Sequence, residues 1–266
     1  MSTPNELDPT CPPGWKFNKQ LCKCEKDITI PPPPPPPTGE ILWDSNIHLK
    51  TGEAYTITGT YGDQSPDGKG VFMAASGSPH VIVDADGTFW LEADAGHGRM
   101  YIKAINFNAI MEGEIMFPDS FDVVRNSTQR LRSRHQEGGA CENRGGGFGQ
   151  TIEVQEQLAE YETESCHNLH ENSIKKPLAK KIEQGKWIKF RYSCQNSPDN
   201  KKVLFSTDYD YNDGQGWVNV CSGEHPNPPA HLMDESLCMK ESYAWLRMNN
   251  EAKGKVGFKN VRIIKI

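Results

Sequence analysis

From residue 41 to residue 266 this chain repeatedly alternates apolar and polar side chains with a period of two, in short runs closed by Gly, Asn or Asp. Successive side chains of a strand point to opposite faces, so such runs read as strands half buried in sheets. Ala54-Tyr55-Thr56-Ile57-Thr58-Gly59-Thr60-Tyr61 is one run. His80-Val81-Ile82-Val83 and Thr88-Phe89-Trp90-Leu91 flank Asp86-Gly87, a hairpin signal. Met100-Tyr101-Ile102-Lys103-Ala104-Ile105 and Trp187-Ile188-Lys189-Phe190-Arg191-Tyr192 follow. A second hairpin joins the run from Val203 to Trp217-Val218-Asn219-Val220 through Asn212-Asp213-Gly214, and Val256-Gly257-Phe258-Lys259-Asn260-Val261-Arg262-Ile263 closes the chain. Short strands at this spacing predict an all-β fold, a two-sheet antiparallel β-sandwich.

Ahead of this domain the pattern changes. Residues 1–29 form a Cys-rich head, residues 30–40 a polyproline linker, and residues 41–266 the β domain. The head is too short to bury a core and needs a staple from Cys11, Cys22 and Cys24. Its Cys11-Pro12-Pro13-Gly14-Trp15-Lys16-Phe17-Asn18 resembles the opening of small chitin-binding modules, whose remaining cysteines are absent; a stapled turn without a ligand is the preferred reading. The seven prolines at 31–37 adopt polyproline II at ~3.1 Å per residue and span roughly 20 Å as a stiff spacer.

Composition removes several function classes. No run approaches the ~20 apolar residues of a spanning helix, so no membrane span is expected. Lys and Arg number 29 against 35 Asp and Glu, a net charge of -6, which argues against nucleic acid as a partner. The eight cysteines, an even number, fit disulfides in an oxidising compartment, with buried thiols as the alternative. Positions 1–6 show neither a basic nor an apolar signal region. A secreted or particle-surface protein is expected.

The closing Phe258-Lys259-Asn260-Val261-Arg262-Ile263 resembles the last strand of concanavalin-A-like lectin/glucanase jelly rolls. The order of Gly185-Lys186-Trp187-Ile188-Lys189-Phe190 before a hairpin ending in Gly216-Trp217 is similar to that superfamily too. The resemblance implies two curved antiparallel sheets and a concave face that binds or cleaves polysaccharide.

Chemistry-bearing residues concentrate between positions 130 and 170. Arg130, Arg132 and Arg134 alternate and share one face of a strand. The glycine-rich stretch 138–149 follows; it lacks the Gly-Lys-Ser/Thr ending of a phosphate loop, which excludes nucleotide binding there. Glu160, Glu162 and Glu164 also alternate. This pattern resembles the Glu-x-Asp-x-Glu strand of laminarinase-type glycoside hydrolases, with Glu in the middle and Ala159 and Leu158 where a Trp commonly stands. The resemblance implies Glu160 as nucleophile, Glu162 as assistant and Glu164 as acid/base. A retaining pair needs about 5–5.5 Å between carboxyls, whereas residues four apart on a strand stand ~13 Å apart. Arg132-Ser133-Arg134-His135-Gln136-Glu137 resembles the Arg-bearing strand of alginate-lyase-like jelly rolls, whose other motifs are missing. On that reading Arg132, Arg134 and Gln136 neutralise a uronate, and His135 or Tyr161 is the base. Two plainer readings compete. The Arg and Glu rows could be a cross-strand ion-pair ladder on neighbouring strands. Val154, Leu158 and Tyr161 also fall at helical spacing, although the strand is preferred.

No metal or cofactor is required. His167 and His170 with Cys141 and Cys166 lack a Cys-x-x-Cys partner for zinc. A Cys141–Cys166 disulfide with His167 and His170 as rim residues for sugar is preferred. Asp208-x-Asp210-x-Asn212-Asp213-Gly214 misplaces the Gly and Glu of a calcium loop, so a hairpin turn is preferred and a surface calcium is the alternative. Trp90, Trp217, Tyr243 and Trp245 are the aromatic planes considered for sugar stacking. The leading expectation is polysaccharide or glycan binding, with Arg130, Arg132, Arg134, Gln136, His167 and His170 as contacts. The alternatives are a polysaccharide lyase or retaining glycoside hydrolase on the same face, and a structural surface or virion protein. The oligomeric state is left open.

Overall fold

The alternating runs are strands, because each places its apolar residues on the face that meets a second sheet. The computed structural model describes residues 15–18, 23–26, 38–56, 62–63, 70–74, 80–93, 98–105, 108–121, 126–134, 146–166, 169–199, 202–225, 242–248 and 254–266. The chain divides into two units, Met1–Pro35 and Pro36–Ile266. The first contains the hairpin of β1 (Trp15–Asn18) and β2 (Lys23–Lys26), in which Phe17 stands opposite Cys24.

In the second unit one sheet takes β3 (Ile41–Asp44), β4 (Ala54–Thr56), β7 (His80–Val83), β8 (Phe89–Ala93) and β10 (Ala109–Met116). It is completed by β15 (Ile188–Asn196), β16 (Val203–Asp210), β17 (Trp217–His225) and β19 (Gly254–Lys265). Across the sheet these nine strands run β17-β16-β15-β10-β19-β8-β7-β4, with β3 also pairing β19. The other sheet takes β5 (Gly62–Asp63), β6 (Gly70–Ala74), β9 (Gly98–Ile105), β11 (Asn126–Arg134), β12 (Gly146–Glu153), β13 (Leu158–Cys166), β14 (Leu169–Pro177) and β18 (Ser242–Met248). Its eight strands run β14-β13-β12-β11-β18-β9-β6-β5. Every described pairing is antiparallel. The expected two-sheet antiparallel β-sandwich is what the chain forms. The one described helix is the single turn α1 (Ser45–His48), capped by the Asp44 carboxylate on the Asn46 amide.

The core lies between the sheets. Met111 stands opposite Tyr192 on one side and Ile263 on the other, and all three are fully buried. Each such side chain contributes roughly 1.5–3 kcal/mol by leaving water. Among the described contacts that join the layers, Tyr161 on β13 stacks on Phe205 on β16, with centroids 3.4 Å apart, and the Gln150 amide on β12 donates to the Tyr209 hydroxyl on β16. Burial pushes the Tyr209 hydroxyl well up from its ordinary value, so it stays neutral.

A bulge between β10 and β19 shifts the register between Glu112 and Glu114. Asn260 takes the left-handed conformation there at φ 53. A Cβ at Gly113 would lie 3.0 Å from the Val261 Cα, so only glycine lets the strands approach.

After Val154 the preferred strand forms, reached through a turn with Gln157 at φ 56, and the helical alternative does not. The Arg and Glu rows are not on neighbouring strands, because β12 pairs with both and separates them. Cys194 and Cys221 are buried thiols, so at least these two of the eight cysteines follow the alternative reading. Cys141 and the linker prolines lie outside the described residues.

Candidate functional site on the outward sheet faces

Tyr161 fixes which way β13 faces. Its ring is 1% exposed between the sheets, so Glu160 belongs to the outward face of the eight-stranded sheet. That burial corrects the base role expected of Tyr161: a ring packed on Phe205 does not share the open face with Glu160.

Regular pairing of β13 with β12 sets Glu160 opposite Thr151, Glu162 opposite Gly149 and Glu164 opposite Gly147. Gly149 is in turn opposite Arg130 on β11. Arg130, Gly149 and Glu162 therefore form one row across three strands, with Arg and Glu about 9.6 Å apart at two strand spacings. The residue between them has no side chain, and its backbone is buried. On the far side of β13, His170 of β14 stands opposite Glu164. The expected shared face of the three arginines is corrected: a register shift between Leu131 and Arg134 sets Arg134 opposite Gly146, on the row of Phe148 and Gln150 instead of that of Arg130. For Arg130, Arg132, Arg134, Glu162, Glu164 and His170 the description is of the backbone, and His135, Gln136 and His167 lie outside the described residues.

Glu160 has a carboxylate neighbour that the sequence reading missed. Lys175 on β14 stands opposite Glu160 and places its ammonium 3.6 Å from the Glu160 carboxylate and 2.9 Å from that of Glu153. Burial raises the Glu153 carboxyl, but the hydrogen bond donated by Lys175 and hydrogen bonding shared with the Glu160 carboxyl outweigh it and leave the group below its ordinary value. The hydrogen bond to Glu153 raises Lys175, against a smaller opposing effect of burial. The face thus holds two carboxyls in contact and a lysine shared between them.

The outward face of the nine-stranded sheet carries a second arrangement. Glu112 on β10 accepts from Arg191 Nε at 3.1 Å and from Arg262 at 2.6 Å. Asp208 accepts from Asn219 at 2.8 Å and from Ser206 at 3.0 Å. One row further, Lys259 pairs with Glu114 and Lys189 with Asp210. Three half-buried tryptophans lie over these rows. The Arg191 guanidinium is 4.4 Å from the Trp217 ring centroid, Lys255 is 4.2 Å from that of Trp90 and Lys259 is 4.5 Å from that of Trp187. Gly257 makes room for two of them: a Cβ there would meet Trp90 at 2.9 Å and Trp187 at 3.2 Å. Trp90 and Trp217 were among the expected aromatic planes, whereas Trp187 read only as the start of a strand. Tyr243 and Trp245 lie on β18 with their side chains outside the description.

The Asp208–Gly214 stretch is a hairpin: β16 ends at Asp210 and β17 begins at Trp217. Asp210 takes Lys189 and the Asn212 amide, and Asp213 takes Lys180 and the Gln215 amide. Among the described residues no group of three or more His, Cys, Asp or Glu is gathered for a metal, and no helix is long and apolar enough to cross a membrane.

No family model and no curated protein matches the chain. Solved structures do. A carbohydrate-binding module, CBM66 from Bacillus subtilis, is 12% identical over 81% of this chain and 98% of its own, with a TM-score of 0.46. A legume lectin-like domain from Entamoeba histolytica is 8% identical over 79% and 97%, with a TM-score of 0.48. Alginate lyase vAL-1 from Chlorella virus is 11% identical over 85% and 100%, with a TM-score of 0.42. All three TM-scores lie below 0.5, and the sandwich assignment rests on the strand pairing above.

Proposed function

We propose that this protein binds polysaccharide on the outward face of the eight-stranded sheet, across β11, β12 and β13. The row Arg130–Gly149–Glu162 is the observation that supports the reading. It aligns a cationic and an anionic residue on the two strands either side of a position without a side chain, a pairing that suits the donors and acceptors of a hydroxyl-rich chain. His170, opposite Glu164, extends the same quarter of the sheet, and Arg132, Arg134, His135, Gln136 and His167 belong to the proposal from the sequence. We place the protein outside the cell or on a particle surface, on the strength of its Cys-rich head and proline spacer.

A catalytic reading of the same face, as a lyase or glycoside hydrolase, has one observation in its favour. Glu160, Glu153 and Lys175 give closely spaced carboxyls with an adjacent cation, the type of group that general acid–base chemistry uses. Glu162 and Glu164 remain its other candidates.

The test is affinity electrophoresis of the full chain through alginate, pectate, laminarin and xylan, with Arg130→Ala and Glu162→Gln beside the wild type. Retardation in at least one polysaccharide is expected, weakened about 10–100-fold in Arg130→Ala through loss of a charged hydrogen bond. No retardation in any, or equal retardation of both variants, overturns the reading. Reducing ends or unsaturated products released in the same mixtures decide for catalysis.

A further inference from the structure

The row on β11–β13 leaves the tryptophans of the other sheet unexplained. Trp90, Trp187 and Trp217 share the outward face of the nine-stranded sheet and stand partly open to solvent. Trp90 belongs to β8 and Trp217 to β17, five strand spacings apart, or about 24 Å. The floor between them is not apolar. It consists of charges that balance: Lys259, Lys189, Arg191 and Arg262 against Glu114, Asp210, Glu112 and Asp208, the last opposite Arg191.

We propose that this face is a second carbohydrate platform, taking a neutral polysaccharide laid across the strands from the Trp90–Trp187 pair to Trp217. The chemistry selects that occupant. Aromatic planes at both ends offer stacking for the apolar faces of pyranose rings. Paired ions between them present donors and acceptors with no surplus charge, which suits hydroxyl groups and gives an anionic chain nothing to neutralise. A protein partner fits less well, since sealing these ion pairs from water costs desolvation that a hydrated sugar chain avoids. The described exposed large hydrophobics, Ile41, Ile47 and Ile266, also lie on none of the strands between β8 and β17. The site is separate from the β11–β13 row and does not depend on it.

The experiment uses the full chain with laminarin, xylan and galactomannan as neutral probes and alginate as the acidic one. Trp217→Ala and Trp90→Ala are expected to weaken retardation by a neutral polysaccharide about tenfold each, the worth of one aromatic contact. Because Trp217 covers Arg191, the wild type provides a second measurement. Peptide mapping after N-bromosuccinimide treatment is expected to show Trp90, Trp187 and Trp217 protected by the neutral oligosaccharide. The inference fails if no neutral probe retards the chain, or if these tryptophans oxidise equally with and without the sugar. It fails as well if only Arg130→Ala abolishes binding, which leaves the β11–β13 site standing. A dimer in sedimentation that Trp217→Ala disperses would assign the face to a second copy and overturn the sugar platform.

Discussion

Glu112 holds the Nε of Arg191 on one carboxylate oxygen at 3.1 Å, and both side chains are less than a tenth exposed although they belong to the sheet's outward face. Trp217 lies over the guanidinium and seals it. Removing one member of a buried pair leaves the other charged and desolvated, which costs about 3–5 kcal/mol. Glu112→Ala should therefore destabilise the domain by that order, and Arg262→Ala by much less, since the Arg262 side chain is 43% exposed. Urea denaturation checks both: the midpoint should fall sharply for Glu112→Ala at unchanged slope. Equal small losses would mean that water reaches Arg191.

Tyr161 separates a core role from a chemical one. Its ring stacks on Phe205 within 5° of parallel. Tyr161→Ala should cost about 3–5 kcal/mol as a large-to-small core change. Tyr161→Phe keeps the stacked ring and should leave polysaccharide binding and any turnover as in the wild type. Loss of turnover in Tyr161→Phe, with thermal stability retained, would restore the hydroxyl as a base.

What the sequence could reveal followed the strength of local patterns. The β7–β8 and β16–β17 hairpins were legible because Asp86-Gly87 and Asn212-Asp213-Gly214 supply left-handed turn positions, with Gly87 at φ 84 and Gly214 at φ 81. Strand β10 was not, although it lies near the centre of its sheet. Gly113 and two glutamates dilute its β-forming character, and only the bulge on β19 explains why glycine stands there. Missing β10 hid Glu112. The Arg and Glu rows were legible as strands, but their spacing was not. Gly146, Gly147 and Gly149 read as a loop, whereas pairing on both sides makes that stretch a strand. Lys175 had no local signal, since only the register of β14 brings it to Glu160.

The Glu153–Lys175 contact predicts a pH dependence with a definite sign. Glu153 is held below its ordinary value in the fold, so its contribution is present above the unfolded value and disappears as pH falls through the folded one. Lys175 is held above its ordinary value, so its contribution is present at neutral pH and is lost only as pH rises through the alkaline range. Lys175→Met should lower stability at pH 7 by less than about 1 kcal/mol, because the lysine is half exposed. The gap in melting temperature between wild type and variant should close between about pH 5 and pH 3. A gap that persists below that range would show that the lysine acts through packing of its stem.

Cys194 and Cys221 face the interior from β15 and β17, at 0% and 4% exposure. Burial pushes the Cys221 thiol up, with Lys176 opposing, so little of it is the reactive thiolate at neutral pH. Both should resist iodoacetamide in native buffer and label fully in denaturant, as read by peptide mapping. The two positions also report on the sheet's margin, because among the described strands β17 pairs with β16 alone and ends the nine-stranded order. Strands at such a margin open locally at less cost than central ones. Labelling of Cys221 before Cys194 at intermediate urea would show β17 detaching first, taking Trp217 away from Arg191. Simultaneous labelling would show instead that the margin and centre of this sheet unfold as one unit.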